Sequence, residues 1–340
     1  MRILVAVLLV LVCVPTWSGA ERLALLGDRA VIRARPVALL DGHPEMMRLG
    51  QLEWLGGVAL TSPDRAFGGF SSMAVEGDRF TLLSDGGNVV RFRLGQDWRI
   101  ADPSFANLPD GPGAGWEKQD RDSEAMATDP ATGDHWVAFE NSNQIWRYDA
   151  AFSRALGHAA PPAMRRWPEN GGAESLVRLP SGGFVAIGEV ARARGTLNRI
   201  AIRFAGDPVT APGRGFRFSL AVPPGYGPSD ATLLPDGRLL VLLRSFRLPY
   251  NFTTKLVIVE ARAIRPGATA HGKVIANLAP PYIHDNFEAV AATREGSDTI
   301  VWIASDDNRS FLQRSLLLKF RLVAPAPSSD AGDSRVTPAR

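Results

Sequence analysis

The chain has 340 residues, of which 45% are apolar, so it is long enough for one large domain or two smaller ones with a buried core. Its formal net charge is only +3, and its basic residues are mostly arginines scattered along the sequence, with lysine at only four positions. A nucleic-acid-binding face needs a basic stripe or patch, so we expect no nucleic acid partner.

The first 20 residues have the features of a secretory signal peptide. Met1 and Arg2 give a positive start, an apolar run follows to Val14, and small residues end the segment at Ala20. The run is shorter than the about 20 residues of a permanent membrane helix. We therefore expect cleavage after Ala20, no permanent membrane span, and a periplasmic or secreted protein. An uncleaved anchor and a lipid-anchored Cys13 are the alternatives.

Cysteine occurs only once in the sequence, as Cys13 within the predicted signal peptide. The mature chain is therefore expected to lack a thiol nucleophile, a disulfide framework and a cysteine zinc site. Motifs of serine hydrolases with a nucleophile elbow, of zinc proteases, of phosphate-binding loops and of dinucleotide-binding folds are also absent from the sequence.

Beyond the signal peptide, short strands are predicted almost throughout. Residues 22–40 and 50–61 alternate apolar and polar positions between turn residues, and apolar runs of four to six residues follow, separated by Gly and Pro. We assign residues 21–48 to an N-terminal extension and 49–323 to one β domain. The tail, 324–340, is rich in Pro, Ala and Ser, which predicts disorder.

Five similar segments recur at intervals of 50 to 58 residues and each begins a strand. They are GFSSMAV at 69–75, DSEAMA at 122–127, GAESLV at 172–177, PSDATLL at 228–234 and DNFEAVA at 285–291. Each is followed by a Gly- or Asp-containing turn, a second apolar strand and a third strand, which is the pattern of antiparallel hairpins. A period near 50 residues is typical of propellers and repeat arrays.

The fold class predicted from these repeats is all-β, a propeller with five visible blades. The strand at 50–61 is expected to pair with Leu316 to Phe320 and so close the ring from both chain ends, which hides strand edges. A sixth, degenerate blade formed by residues 22–40 is the alternative.

Acidic residues recur where the strands of each repeat meet one end of the ring. The aligned position carries Ser72 in the first repeat and carboxylates in the other four: Glu124, Glu174, Asp230 and Glu288. The ends of the second strands add Asp85, Glu140, Glu189, Asp306 and Asp307. Because the first strand of each propeller blade lines the central channel, we expect the four aligned carboxylates to converge at one mouth.

Such a ring of carboxylates needs a counter-charge, since two like charges about 4 Å apart repel by roughly 4 kcal/mol at an effective dielectric of 20. Oxygen ligands favour a hard cation, and Ca²⁺, with Mg²⁺ as second choice, is the predicted metal. The alternative is that these acids bind the backbone of neighbouring blades or pair with arginines. Arg244 follows a second strand where other repeats carry an acid, and it is expected either to bind an anionic substrate or to form an internal salt bridge. His284 is a candidate proton carrier or a solvated loop residue.

The motifs DNFEAV, IASDDN and QRSLLLKF, with the earlier repeats in the same order, resemble the secreted phytase-like propeller family known as "esterase-like activity of phytase". The resemblance spans about 52–322 and implies metal-dependent hydrolysis of phosphate or carboxylate esters. The chain departs from the family pattern at Ala125, Ser175 and Ala289, where glycine often follows the glutamate, at Leu243, where an acid is expected, and at Ser72. The missing acids argue more against several metal ions than against one.

Two functions are therefore expected from the sequence. In the first, the protein is a monomeric Ca²⁺-dependent hydrolase of a small anionic ester, with Arg244 binding the anionic group and Glu124, Glu174 or Glu288 acting as general base. In the second, the propeller is a non-catalytic binding module with a structural ion. The fold alone does not decide between them.

Overall fold

The computed structural model describes residues 21–248 and 251–324. The predicted signal peptide at 1–20 and the predicted disordered tail from residue 325 onward lie outside these ranges. Within the described part, strands dominate, and the helices are two short 3₁₀ turns at Lys118–Arg121 and Ala261–Ala263. None of the helices in this part has the length and hydropathy that a membrane crossing requires.

The strands form five antiparallel blades around a central axis, as the sequence predicted. In chain order, β1 (Arg33–Pro36), β2 (Arg48–Leu49) and β3 (Leu52–Thr61) come first and belong to the last blade. The first blade is β4 (Phe70–Glu76), β5 (Arg79–Ser84), β6 (Asn88–Leu94) and β7 (Ile100–Asn107). The second blade is β8 (Ser123–Thr128), β9 (His135–Phe139), β10 (Gln144–Tyr148) and β11 (Ala155–Ala159).

The remaining three blades follow in sequence order. The third is β12 (Ala173–Arg178), β13 (Phe184–Arg192), β14 (Arg199–Phe204) and β15 (Gly215–Leu220), extended by the parallel strand β19 (Thr269–Ala270). The fourth is β16 (Gly227–Leu233), β17 (Leu239–Arg247), β18 (Asn251–Val259) and β20 (Gly272–Leu278). The fifth is β21 (Phe287–Glu295), β22 (Asp298–Ser305) and β23 (Ser315–Leu322), followed by β3 and β1.

The first and last strands of the described residues meet in the fifth blade. Strand β3 pairs antiparallel with β23, with Ala59 opposite Leu316 and Gly57 opposite Leu318. Strand β1 then pairs with the outer edge of β3. The segment that could have formed a sixth blade is therefore the outermost strand of the fifth, and the ring of the described residues has five blades.

The hydrophobic core lies between neighbouring blades, because the central strands of each blade are covered on both faces. Between the fifth and first blades, for example, Phe80 stacks on Phe92 with ring centroids 5.3 Å apart and meets the edge of Trp302 at 4.8 Å. Similar clusters fill the other blade junctions. The inner strands β4, β8, β12, β16 and β21 each contact the next in a closed circle, and so surround the channel.

Candidate functional site at one channel mouth

Every inner strand contains a β-bulge near its beginning. The register skips one residue in each: Ser71 in β4, Glu124 in β8, Glu174 in β12, Ser229 in β16 and Glu288 in β21. A bulge turns the side chain of the extra residue away from the regular pleat. The five extra residues are thus structurally equivalent, and three of them are glutamates.

The bulges correct the sequence alignment at two of its five positions. The residue equivalent to the glutamates is Ser71 in the first blade and Ser229 in the fourth, one residue before Ser72 and Asp230. These two serines bridge to the next inner strand at the same level, because the Ser71 hydroxyl donates to the Ser123 carbonyl at 2.6 Å and Ser229 donates to Phe287 at 3.0 Å.

Asp230 is therefore separate from the glutamate ring. Its Oδ2 atom accepts the backbone N–H of Val290 at 2.7 Å and its Oδ1 atom accepts that of Ala231 at 2.7 Å. In the first blade the Ser72 hydroxyl likewise accepts the N–H of Met126 at 3.0 Å. Asp230 thus joins two neighbouring inner strands, which is the backbone-binding role that the sequence left open as an alternative.

The carboxylates of Glu124 and Glu174 have no hydrogen bond or ion pair to another described residue, and repulsion from Glu174 makes Glu124 harder to ionise. Glu174 is buried and Glu124 is partly exposed. Burial, followed by repulsion from neighbouring carboxylates, raises the pKa of each well above its ordinary range. Without a counter-charge, these two groups therefore resist ionisation together.

A second set of carboxylates surrounds the glutamate ring. These side chains come from the residue before β8 and from the ends of the second strands of the blades. Oxygens of Asp122, Glu124 and Glu140 lie within 4.8 Å of one another. Burial raises the pKa of Glu140 to about 7, although the N–H of Gly171 donates to its carboxylate. Burial and repulsion from Glu288 also raise the pKa of Asp306 well above its usual range.

Two cations form ion pairs with carboxylates of the described part of this mouth. The Lys118 amine lies 2.7 Å from Asp85 Oδ2 and 3.5 Å from Asp122 Oδ1. Burial alone would lower the pKa of Lys118, but these two carboxylates raise it overall. On the opposite side of the mouth, Arg244 donates to Glu288 and, at 3.0 Å, to Glu189. The internal salt bridge considered for Arg244 is therefore present.

Negative groups outnumber positive ones among the described residues at this mouth. The carboxylates are Asp85, Asp122, Glu124, Glu140, Glu174, Glu189, Glu288 and Asp306, and the cations are Lys118 and Arg244. In addition, Asp85 Oδ1 is buried without a hydrogen-bond partner in the described structure. The donors are all oxygens, so the chemistry of the site suits a hard divalent cation.

The remaining residues proposed from the sequence have other contacts. Asp307 accepts the N–H of Gly69 at 3.1 Å and the hydroxyl of Ser315 at 2.7 Å, so it fastens the fifth blade to the first. The His284 ring bonds the Tyr282 carbonyl at 2.8 Å. Both side chains are thus engaged locally.

Three residues of this site were not predicted from the sequence. Asp122 and Asn286 lie within two of the predicted repeat segments, and Lys118 is one of the four lysines. Asn286 donates to Glu288 at 2.8 Å and accepts from Arg244 at 2.5 Å. Asp122 and Asn286 each precede a bulge glutamate by two residues, and this shared spacing is the signal that could have identified them.

Comparisons with known proteins give one family match. No curated protein matches the chain significantly. Among solved structures, a luciferin-regenerating enzyme is similar at 11% identity and a TM-score of 0.42, covering 86% of this chain and 98% of its own. A hydrazine synthase chain of Kuenenia stuttgartiensis is similar at 16% identity and a TM-score of 0.39, covering 70% and 77%. The Pan2 WD40 domain of Neurospora crassa is similar at 10% identity and a TM-score of 0.38, covering 83% and 98%.

These structural likenesses are too distant to carry an argument about function. The family model described as "Phytase-like: Esterase-like activity of phytase" matches residues 65–309, which is well over half of the chain, and the protein therefore belongs to this family.

Proposed function

We propose that the protein is a metal-dependent hydrolase of phosphate or carboxylate esters whose catalytic centre is the acidic channel mouth. The observation that carries the proposal is the pair Glu124 and Glu174, whose carboxylates have no hydrogen bond or ion pair to another described residue and whose pKa values are raised by burial and by repulsion from neighbouring carboxylates. Carboxylates in such surroundings are costly to ionise unless a counter-charge is close. A bound cation would supply the charge that Lys118 and Arg244 offset only in part. Membership of the phytase-like family supports hydrolysis.

Calcium is the cation that we propose, with magnesium as second choice. Asp122, Glu124 and Glu140 would hold it, because their oxygens already lie within 4.8 Å of one another. An oxygen-only set of irregular arrangement suits Ca²⁺, which accepts six to eight ligands in flexible geometry. When bound, such an ion polarises an ester oxygen and lowers the pKa of a water molecule.

The protein's own residues would bind the substrate and transfer the proton. Arg244 is 21% exposed at the side chain and would bind the anionic group of the ester, with Asn286 holding the guanidinium in place. Glu288 is engaged by Arg244 and Glu124 belongs to the ion-binding set, so Glu174 remains as the general base. A cation bound at the neighbouring carboxylates would favour the ionised form of Glu174 that this role needs.

Hydrolysis would form a bond from the water oxygen to the phosphorus or acyl carbon. The bond from that atom to the leaving oxygen would break, and the proton taken from water by Glu174 would end on the leaving alcohol. No oxidant or further reactant is needed for this balance.

The second candidate is a non-catalytic propeller that binds a ligand and keeps the ion for stability. The ion pairs of Arg244 with Glu189 and Glu288 favour this second function, because both terminal nitrogens of the Arg244 guanidinium are already engaged by the protein. Secretion or a periplasmic location is proposed for either function, from the predicted signal peptide.

Hydrolysis of nitrophenyl phosphate and nitrophenyl acetate tests the proposal. We expect calcium-dependent hydrolysis that a chelator abolishes and that Glu174→Gln reduces by at least about a hundredfold, the lower range for loss of a general base. Glu169→Gln, at an exposed glutamate outside the ring, is the matched control and is expected to retain the rate. Equal rates in wild type, chelated protein and Glu174→Gln would exclude catalysis at this site. The non-catalytic binding module would then be the remaining function.

A further inference from the structure

Two hairpins project beyond the acidic face of the ring. Strands β13, β17 and β18 have nine residues each, whereas the corresponding strands β9 and β10 of the second blade have five. Their extra residues continue past the level of the bulges. The space between the two projections is a groove of about 450 Å³, within the size range of small-molecule sites.

Several side chains in the walls of this groove are apolar although they face solvent. Val190 and Leu197 on the third blade are 36% and 47% exposed. On the fourth blade, Phe246 is 47% exposed and packs on Phe252 with ring centroids 4.7 Å apart. Pro223, Pro224 and Tyr226 complete the apolar lining. A contiguous group of exposed apolar side chains beside a polar site marks a binding surface, whereas single ones need no explanation.

The floor of the groove reaches the acidic mouth. Arg244, Glu189 and Asn286 line both the groove and the carboxylate ring. Arg192, exposed at the edge of the groove, forms no ion pair with any residue in the described ranges. A molecule lying in the groove can therefore place an anionic group at Arg192 or, on the floor, at Arg244, while its remaining part covers the apolar side chains of the walls.

The hydrogen-bond donors of the groove argue against a substrate with many negative groups. Both terminal nitrogens of Arg244 are already paired with Glu189 and Glu288. Arg199, another arginine in the groove, donates to the carbonyls of Glu189, Leu197 and Tyr226. A polyphosphorylated ligand would therefore find few free donors. A ligand with one anionic group has a matching arginine, and its apolar part has a matching wall.

Resting on the proposed hydrolase function, we infer that the substrate is an amphiphilic ester, with a single phosphate or carboxylate group and an apolar acyl, alkyl or aryl portion that lies between the hairpins at Leu197 and Phe246. The groove selects the apolar portion, and the acidic mouth performs the hydrolysis.

Binding of methyl-, butyl- and octylphosphonate, measured by calorimetry on the whole protein at saturating calcium, tests the groove without requiring turnover. A fully buried methylene contributes roughly fourfold in affinity. Since the groove is open on one side, we expect about tenfold tighter binding of butyl- than of methylphosphonate. Leu197→Ser and Phe246→Ser should remove most of this chain-length dependence.

Matched controls are available at exposed residues away from the groove. Leu156→Ser lies on the outer strand of the second blade and Val274→Ser lies on β20, the outer strand of the fourth blade, and both side chains are solvent-exposed. Both variants are expected to keep the wild-type dependence on chain length. Equal loss in the controls, or an equal affinity of wild type for all three phosphonates, would overturn the inference.

Hydrolysis separates the inference from the proposed function. For nitrophenyl esters of the same three phosphonic acids, kcat/KM is expected to rise with chain length and to exceed that for inositol hexakisphosphate. Binding that tightens with chain length, without any hydrolysis, would overturn the hydrolase proposal and support binding of the apolar portion in the groove. Hydrolysis that is insensitive to chain length, or faster with inositol hexakisphosphate, would overturn the role of the groove and support the hydrolase proposal.

Discussion

Glu124→Gln is expected to make the metal-free protein more stable and at the same time to remove its response to calcium. The reason is the crowding of carboxylates around this side chain. Asp122, Glu124 and Glu140 offer oxygens within 4.8 Å of one another. At that distance two charges repel by about 3.5 kcal/mol at an effective dielectric of 20, and Glu124 takes part in two of the three pairs.

The full repulsion is not realised, because a carboxyl group can take up a proton instead. At pH 7 that route limits the penalty to about 3.7 kcal/mol for a glutamate with an ordinary pKa near 4.3. Lys118 also attracts Glu124 and offsets part of the repulsion. We therefore expect Glu124→Gln to stabilise the chelated protein by about 2 kcal/mol, which for a domain of this size raises Tm by about 5 °C.

Thermal melts with a chelator and with excess calcium measure both effects. Calcium at a hundred times its Kd should stabilise wild type by about 2.7 kcal/mol and should leave Glu124→Gln nearly unchanged. Glu76→Gln, at an exposed glutamate that ends β4, is the matched control and should behave as wild type. A lower Tm of Glu124→Gln than of wild type in chelator, or equal stabilisation of both proteins by calcium, would show that Glu124 neither repels its neighbours nor binds the ion.

Three further predictions follow from other contacts. Asp230→Ala leaves the buried N–H of Val290 without its acceptor and should destabilise the fold by about 1–3 kcal/mol in urea unfolding, with calcium binding unchanged. Arg244→Met leaves two glutamates without their cation and should cost about 3 kcal/mol in chelator, partly restored by calcium, whereas exposed Arg247→Met should cost nothing measurable. Burial lowers the pKa of His135 to about 4, so the unfolded chain binds a proton at this histidine at a higher pH than the folded protein does. The free energy of unfolding should therefore fall by up to about 3 kcal/mol as the pH falls from 6.5 to 4. His135→Phe should flatten that part of the pH profile measured by urea unfolding.

Much of the fold could be predicted from the sequence, because it depends on periodic signals. Apolar runs alternate with Gly- and Asp-containing turns five times, and each repeat became a blade. The pairing of Leu316 to Phe320 with the strand at 50–61 was also predicted, since a ring needs its last blade closed. The blade that residues 33–36 join was not predicted, because an edge strand has the same sequence pattern in every blade.

The alignment of the channel residues failed by one position in two blades. A β-bulge adds a residue without changing the apolar pattern that follows, so the register of Ser229 and Asp230 could not be read from alternation alone. Asp230 was aligned with the glutamates because it is acidic. The structure shows that its neighbour Ser229 occupies the equivalent position.

The cations that pair with the acidic residues of the mouth could not be predicted for a different reason. Lys118 begins the 3₁₀ turn before the second blade and contacts Asp85 of the first blade, so this ion pair depends on how the two blades are arranged. Arg244 was identified as a candidate, but its pairing with Glu189 and Glu288 joins three blades. Such contacts follow from the closed ring and leave no local signature in the sequence.

The proposed function requires that the bulge glutamates and their neighbours hold a divalent cation at the channel mouth. Calorimetric titration of calcium into chelator-treated protein at pH 7 measures this binding, with Glu124→Gln and Glu140→Gln compared with Glu76→Gln. We expect saturable binding in wild type and Glu76→Gln and its loss in the other two variants. Absence of binding in wild type, or the same affinity in all four proteins, would contradict it.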